Sequence, residues 1–476
     1  ILFARLKSSP QLFAGCSSSV RTLCRSLCLF LCITTTFSVI GGTRISSIRN
    51  QPQQRKLAAS VKQEFLHAWK NYERYAWGHD ALKPLSRTPF DWYGESLYMT
   101  PVDALDTLLI MGLQDEADKA RTLIVNSLSF DKDIYVKNFE ITIRLLGGLI
   151  SGYQLTGDKR LLTLANDLGS RLLPVFDSPT GLPYVYVNLK TGKVRDPNTN
   201  PAETGTLLLE FGTLSKLTGN PIYYQKAKRA LVETFRRRSA LGLVGQSINA
   251  ETGKWTDPES SITGGIDSYM EYLLKSWLLF RDPELRSMWT TSIKAVNKYL
   301  PDEVNGGLWY GRVNMDTGHR TATKYGALDA FFPAVLALSG DLSNAKRLQE
   351  SSFKMWNLSE IEPEELDYTT MSITSASYHL RPEIVESTYY LYHYTHDPQY
   401  VRTGEKLFKD FVRSCRVENG YAALKDVRTK EKRDEMESFL FAETFKYFYL
   451  LFAPPRTLDF DKIIFNTEAH PIRRTW

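Results

Sequence analysis

The stretch Phe139–Asp158, FEITIRLLGGLISGYQLTGD, decides the fold. It opens on an acidic residue, runs apolar nearly all round, and stops at Gly157-Asp158. A helix of that composition is buried, and Gly ahead of a polar residue fits a left-handed helix stop. Six further segments share the plan. They are VDALDTLLIMGL from Val102, ETGTLLLEFGTLSKLTGN from Glu203, GIDSYMEYLLKSWLLFRD from Gly265, LDAFFPAVLALSGD from Leu328, RPEIVESTYYLYHYTHD from Arg381 and MESFLFAETFKYFYLLF from Met436. The turns TGD, TGN, SGD and THD recur at the same place. An amphipathic segment follows each, such as PIYYQKAKRALVETF from Pro221. Buried first helices inside exposed second helices predict an all-α closed ring of helix hairpins, with an open helical solenoid as the alternative. The stretches GLPYVYVNL and NGGLWYGRVN read as short β-hairpins near one rim.

The 476 residues are 43% hydrophobic and 24% charged, which excludes global disorder, a collagen and a polytopic membrane protein. The formal net charge of +6 is unevenly placed. Residues 1–63 hold nine Lys or Arg and no Asp or Glu, leaving 50 basic against 53 acidic residues in the rest. The folded body therefore gives no support for nucleic-acid binding. Residues 1–42 read as a signal anchor or a cleaved signal peptide, on the uncharged run SLCLFLCITTTFSVIGG from Ser26. Residues 43–60 read as a polar, basic stem, and residues 61–476 as one domain. Of the five cysteines only Cys415 lies in that domain, so no disulfide forms within it. The sequon Asn357-Leu358-Ser359 fits a lumenal location.

The acidic residues of the first helices pair at helical spacing: Asp103 with Asp106, Asp267 with Glu271, Glu383 with Glu386, and Glu140 with Arg144. Positions three, four or seven apart share a helix face. An acid in a first turn also favours its own helix end. A carboxylate on an otherwise apolar, buried helix is costly unless it meets a polar cavity, a partner or a metal. Seven such helices, with Arg144 and Arg381 interleaved, predict a ring of carboxylates around one cavity suited to a hard cation, a polyhydroxylated sugar, or both.

FEITIRLLGGLISGYQLTGD, GGIDSYMEYLLK, LRPEIVES, MESFLFAETFKYFYLLF and the terminal FNTEAHP resemble glycoside hydrolase family 47, the class I α-1,2-mannosidases. The resemblance covers about residues 61–473 in order. It implies an (α/α)7 barrel, bound Ca²⁺, and inverting hydrolysis of terminal α-1,2-linked mannose from high-mannose N-glycans. It implies Glu140 as general acid, Glu383 as general base and Asp267 as the third essential carboxylate. Thr467 would be the direct Ca²⁺ ligand, with Glu383, Glu386, Glu443 and Glu468 holding the metal's waters. Arg144, Glu203, Arg381 and Phe439 would line the sugar site. The expected location is the ER or Golgi membrane, held through the N-terminal segment in type II orientation, with the catalytic domain lumenal.

Two departures bear on which branch of the family is at hand. Ala330 stands where many members carry the first cysteine of a disulfide. Gly265 stands where the ER-type enzyme carries Arg, which argues against a narrow single-mannose specificity. The sequence supports an active processing mannosidase; the alternative is a lectin-like or weakly active member serving ER-associated degradation.

Overall fold

The computed structural model describes residues 52–476; the apolar run from Ser26 and the basic residues around it lie outside them. Among the described residues, no helix is long and apolar enough to cross a membrane. Seven inner helices form the ring. The first is Met99–Ile110. The second starts at Asn138–Ile141, passes through a π turn, Thr142–Leu146, and continues as Gly147–Thr156. The third is Pro201–Gly205 followed by Leu208–Thr218, and the fourth is Asp267–Phe280. The fifth joins a 3-10 turn, Leu328–Phe331, to Phe332–Ser339. The sixth is Glu383–Thr395, and the seventh joins a second π turn, Leu440–Thr444, to Phe445–Phe452. Each packs on the next, and the seventh returns to the first, so the ring is closed. The fold is an (α/α)7 barrel, not an open solenoid.

The hairpin turns explain why the pattern repeats. Five inner helices end on a left-handed residue: Gly157, Gly219, Arg281, Gly340 and His396. The next residue caps the outer helix. The side chains of Asp158, Asn220, Asp282, Asp341 and Asp397 accept from backbone N–H groups two or three residues on. Such a cap satisfies an amide that the helix itself leaves unbonded. Proline at the first helical position of Pro221–Arg236, Pro283–Tyr299 and Pro398–Cys415 sets the entry angle without losing a hydrogen bond. One TGD-type tripeptide thus stops one helix and starts its partner.

Of the stem expected over residues 43–60, residues 43–51 lie outside the described residues, and residues 52–60 are helical. Residues 52–76 form one continuous helix, and Leu57 and Ala58 are already buried. This helix supplies the outer layer that the seventh inner helix lacks. Glu64 pairs with Arg416 at 2.8 Å, at the end of the last outer helix, and Lys70 with Glu116 at 2.9 Å on the first. Phe65 sets its ring 5.3 Å from Phe441 and 5.8 Å from Phe445 on the seventh inner helix. Composition misled here because polar residues 52–56 are the exposed first turn of an amphipathic helix.

Strands are short and grouped into small sheets of two or three. Four of them feed inner helices directly: Tyr135–Lys137, Asn198–Thr199, Glu259–Ser260 and Lys324–Gly326 precede the second to fifth. They gather at the rim where the inner helices begin. The C-terminal hairpin, Ile463–Phe465 paired with Pro471–Arg473, enters from the opposite end. Its Arg473 bonds Gln154 near the last turn of the second inner helix, and Ile472 packs on Leu209, Tyr272 and Leu279.

Phe65 is fully buried, so Phe65→Ala removes a ring that fastens the N-terminal helix to the seventh inner helix. The expected loss is about 3–5 kcal/mol of unfolding free energy, read from urea denaturation. A loss near zero would detach residues 52–76 from the folded body.

Candidate active site

The first turns of the inner helices converge at the rim that carries the feeding strands. Glu140, Asp267 and Glu383 each stand in the first turn of a different inner helix, so all three point toward one end of the barrel. They line a single cavity of about 270 Å³. Arg144, Glu203, Arg381, Phe439, Glu443, Thr467 and Glu468 line the same cavity. Of the residues that the family resemblance assigns to the site, only Glu386 lies off this lining. It is buried deeper, where it accepts a hydrogen bond from the Tyr447 hydroxyl at 3.2 Å.

Arg144 organises one wall. It donates to Glu140 at 3.1 and 3.0 Å, pairs with Glu468, and stands 3.6 Å from Asp103. Its guanidinium lies between Trp92 at 5.2 Å and Phe439 at 5.6 Å. Arg381 forms the facing wall and donates to Glu364 at 2.5 Å. Burial pushes the Asp267 carboxyl up to about 7, its Ser268 N–H bond at 2.7 Å notwithstanding, and Glu271 and Asp329 add repulsion. Burial also pushes Glu383 up to about 7, against the pull of Arg381. The Glu383 Oε2 atom is buried with no hydrogen-bond partner.

The tail completes the site from below. Gly147 and Gly148 leave it room: a methyl group on Gly147 would stand 2.6 Å from the Asn466 amide, and one on Gly148 would stand 3.2 Å from the His470 ring and 2.9 Å from the Val102 carbonyl of the first inner helix. The Asn466 amide donates to the Ile143 carbonyl at 2.9 Å and to Glu210 at 2.8 Å. The Lys446 ammonium donates to the Ala469 carbonyl at 2.6 Å. Thr467 and Glu468 are thereby carried into the cavity.

The expected ring of carboxylates is divided by this tail. Asp103, Asp106 and Glu210 face the tail rather than the cavity. His470 stands 2.6 Å from Asp106 and 3.2 Å from Asp103, one ring nitrogen on each, and Lys446 stands 2.8 Å from Asp106. Burial alone would raise Asp106, but Lys446 and His470 hold it down at about 2. His470 is a satisfied structural histidine. Asp267 and Glu271 also part company: Glu271 pairs with Lys275 inside the barrel.

Several site residues carry no signal in the inner-helix pattern. Lys137 and Trp92 come from the rim strand and an upstream loop, and Glu364 lies on the loop that precedes Glu365–Asp367. Glu362 is fully buried with both oxygens unpartnered. Burial and the nearby Glu383 and Glu364 push it well above the usual carboxylate range.

Residues 64–474 match the sequence model of glycosyl hydrolase family 47. The chain belongs to that family. It is a glycoside hydrolase. Among its family relatives, it is 38% identical to Alpha-mannosidase I MNS5 of Arabidopsis thaliana, over 94% of this chain and 82% of that protein. It is 37% identical to the endoplasmic reticulum mannosyl-oligosaccharide 1,2-alpha-mannosidase of Mus musculus, over 88% of this chain and 68% of that protein. The solved alpha-1,2-mannosidase from Trichoderma reesei superposes with a TM-score of 0.80 at 28% identity, covering 88% of this chain and 99% of the other. In this family 47 chain the barrel, the cavity and the inserted tail are one connected unit.

The His470 contacts make a pH-dependent prediction. Burial lowers the imidazole's proton affinity, but Asp106 and Asp103 outweigh it and raise the group to about 9. Because the folded value exceeds the unfolded one, the stabilisation is complete below about 6.5 and is lost as pH rises through about 9. The destabilisation caused by His470→Gln should therefore be largest in mildly acidic buffer and fade toward alkaline pH, measured by urea unfolding across that window. A pH-independent difference would mean the imidazole is not held as a cation.

Proposed function

We propose that the protein removes terminal α-1,2-linked mannose from high-mannose N-glycans by an inverting, Ca²⁺-assisted hydrolysis. The observation that carries this reading is the convergence of Glu140, Asp267 and Glu383 from three inner helices on one cavity. The names of the relatives, α-mannosidases of plant, animal and fungal origin, support the same substrate. A secretory-pathway location follows from that substrate.

An inverting glycosidase needs an acid on one side of the scissile bond and a base on the other, with room for water between. Glu383 supplies the base: its Oε2 is free of protein partners and can accept a proton from water. The opposite wall supplies the proton for the leaving oxygen. Glu140 delivers it, and Asp267, raised by burial to about 7, stands by on the next inner helix but one. Arg144 and Arg381 bind sugar hydroxyls through N–H groups, and the Phe439 ring offers a face on which the pyranose stacks.

The donor set beside Thr467 fits a hard cation. Glu383, Glu386, Glu443 and Glu468 are buried oxygen donors. Burial raises Glu386 and Glu468 to about 8 each, and it pushes Glu443 well above the usual carboxylate range, with Glu468, Glu383 and Glu386 repelling it. Negative charge there lacks enough nearby positive charge, which a divalent cation supplies. Thr467 would hold Ca²⁺ directly and the four glutamates would hold its waters. Bound Ca²⁺ would fix sugar hydroxyls and make nearby water more acidic. Gly265, at a backbone φ of +93°, stands in the wall beside Asp267, with the Gln246 amide in the space a side chain would take. The absence of an arginine at this position fits trimming of more than one mannose per glycan.

Incubation of the purified protein with a high-mannose N-glycan should release several mannoses. Glu140→Gln, Asp267→Asn and Glu383→Gln should each lower kcat by about 10²-fold or more with unchanged folding, as loss of an acid–base group does. Near-normal turnover in Glu383→Gln would remove it as the base. EDTA should abolish turnover and lower Tm, and Ca²⁺ should restore both; at about 100 times Kd the metal adds roughly 2.7 kcal/mol. Full activity and unchanged Tm in EDTA would refute the metal assignment.

A further inference from the structure

The three-stranded sheet ahead of the second inner helix has two unlike faces. Val136 and Val187 are fully buried, and Val194 packs beside them. Strand alternation places Tyr135 and Lys137 on the other face. The register sets Tyr186 across from Lys137, and Arg195 across from Tyr186, so all four share that face. Its inner end belongs to the cavity: Lys137 lines it and stands 2.7 Å from Glu203. Its outer end is a stack. The Arg195 guanidinium lies over the Tyr135 ring at 4.3 Å and over the Tyr186 ring at 4.9 Å.

An exposed cation–π contact contributes only about 0.5–1 kcal/mol, so the stack is a weak device for holding the sheet together. It is well suited to holding a sugar. Stacking uses the faces of the guanidinium and leaves its N–H edge able to donate. The tyrosine rings offer apolar faces of pyranose size and hydroxyls at their tips. The surface borders the cavity through Lys137, so it offers one path for a chain covalently joined to a sugar in the cavity.

We propose that Tyr135, Arg195 and Tyr186 form a platform that binds a mannosyl residue of the same glycan arm, beyond the sugar held in the cavity. The inference rests on the reading of the cavity as a terminal-mannose site and assigns its recognition of longer substrates. The rings stack against the C–H face of that residue, and Arg195 donates to its hydroxyl oxygens. Lys137, anchored by Glu203, marks the boundary between the two sugars.

The test compares the full-length protein with its Tyr135→Ala, Tyr186→Ala and Arg195→Ala variants on two substrates. One is α-1,2-linked mannobiose, which is short enough to end before the platform. The other is a high-mannose N-glycan. The ratio of kcat/KM for the glycan to that for mannobiose should fall about tenfold in each variant, carried by KM, as the loss of one stacking contact implies. Equal losses on both substrates would mean that the sheet only shapes the cavity, and an unchanged ratio would mean that the platform touches nothing; either overturns the proposal. If the unaltered protein cleaves neither substrate, the functional reading fails instead. Calorimetric binding of the glycan then decides the platform: weaker binding by Tyr135→Ala supports it, and equal binding rejects it.

Discussion

The structure depends on neutralising Asp103 and Asp106 inside the barrel. Both are fully buried on the first inner helix, and a buried charge is tolerated only when paired and hydrogen-bonded. Lys446 from the seventh inner helix, Arg144 from the second and His470 from the tail supply the pairing. The first two come from the neighbours on either side, so the contacts also close the ring at its seam. The third comes from the far end of the chain, so the ring is satisfied only once the tail is seated. Arg144 then joins this buried cluster to the cavity, because the same guanidinium holds Glu140 and Glu468 and lies between Trp92 and Phe439. Barrel closure and the arrangement of the cavity wall share one side chain.

Much of this was legible in the sequence, for reasons that can be named. The inner helices are apolar all round because they touch neighbours on every side, and the TGD-type turns serve two helices at once. Those two features gave the ring and its hairpins. The first-turn positions of Glu140, Asp267 and Glu383 followed from the same pattern, since an acid at a helix start projects at one rim. The family motifs then pointed to the tail segment FNTEAHP, which periodicity alone would have left as an irregular terminus.

Other features had no such signal. The π turns at Thr142–Leu146 and Leu440–Thr444 place Arg144 and Glu443 on the cavity wall, yet their residues read as ordinary helix. One inserted residue per turn leaves no mark on composition. Gly147 and Gly148 sit mid-helix, where glycine is costly, and the approach of Asn466, His470 and the first inner helix at Val102 explains them. The division of the acids between cavity and tail was likewise hidden, because Asp103 and Glu140 look alike until the tail is placed. Lys137, Trp92 and Glu364 lie outside the repeated helices and could be found only by tracing the rim.

Three carboxyl groups on separate helices, a free Glu383 oxygen and a set of oxygen donors beside Thr467 are the parts of the proposed inverting hydrolase. The stereochemistry of the released sugar tests that union most directly, because it depends on whether Glu383 activates water or attacks the sugar itself. Proton NMR of the full-length protein acting on a high-mannose N-glycan, recorded before mutarotation, should show β-mannose as the first product. Initial release of α-mannose would mean a retaining mechanism and would contradict the roles assigned to these residues.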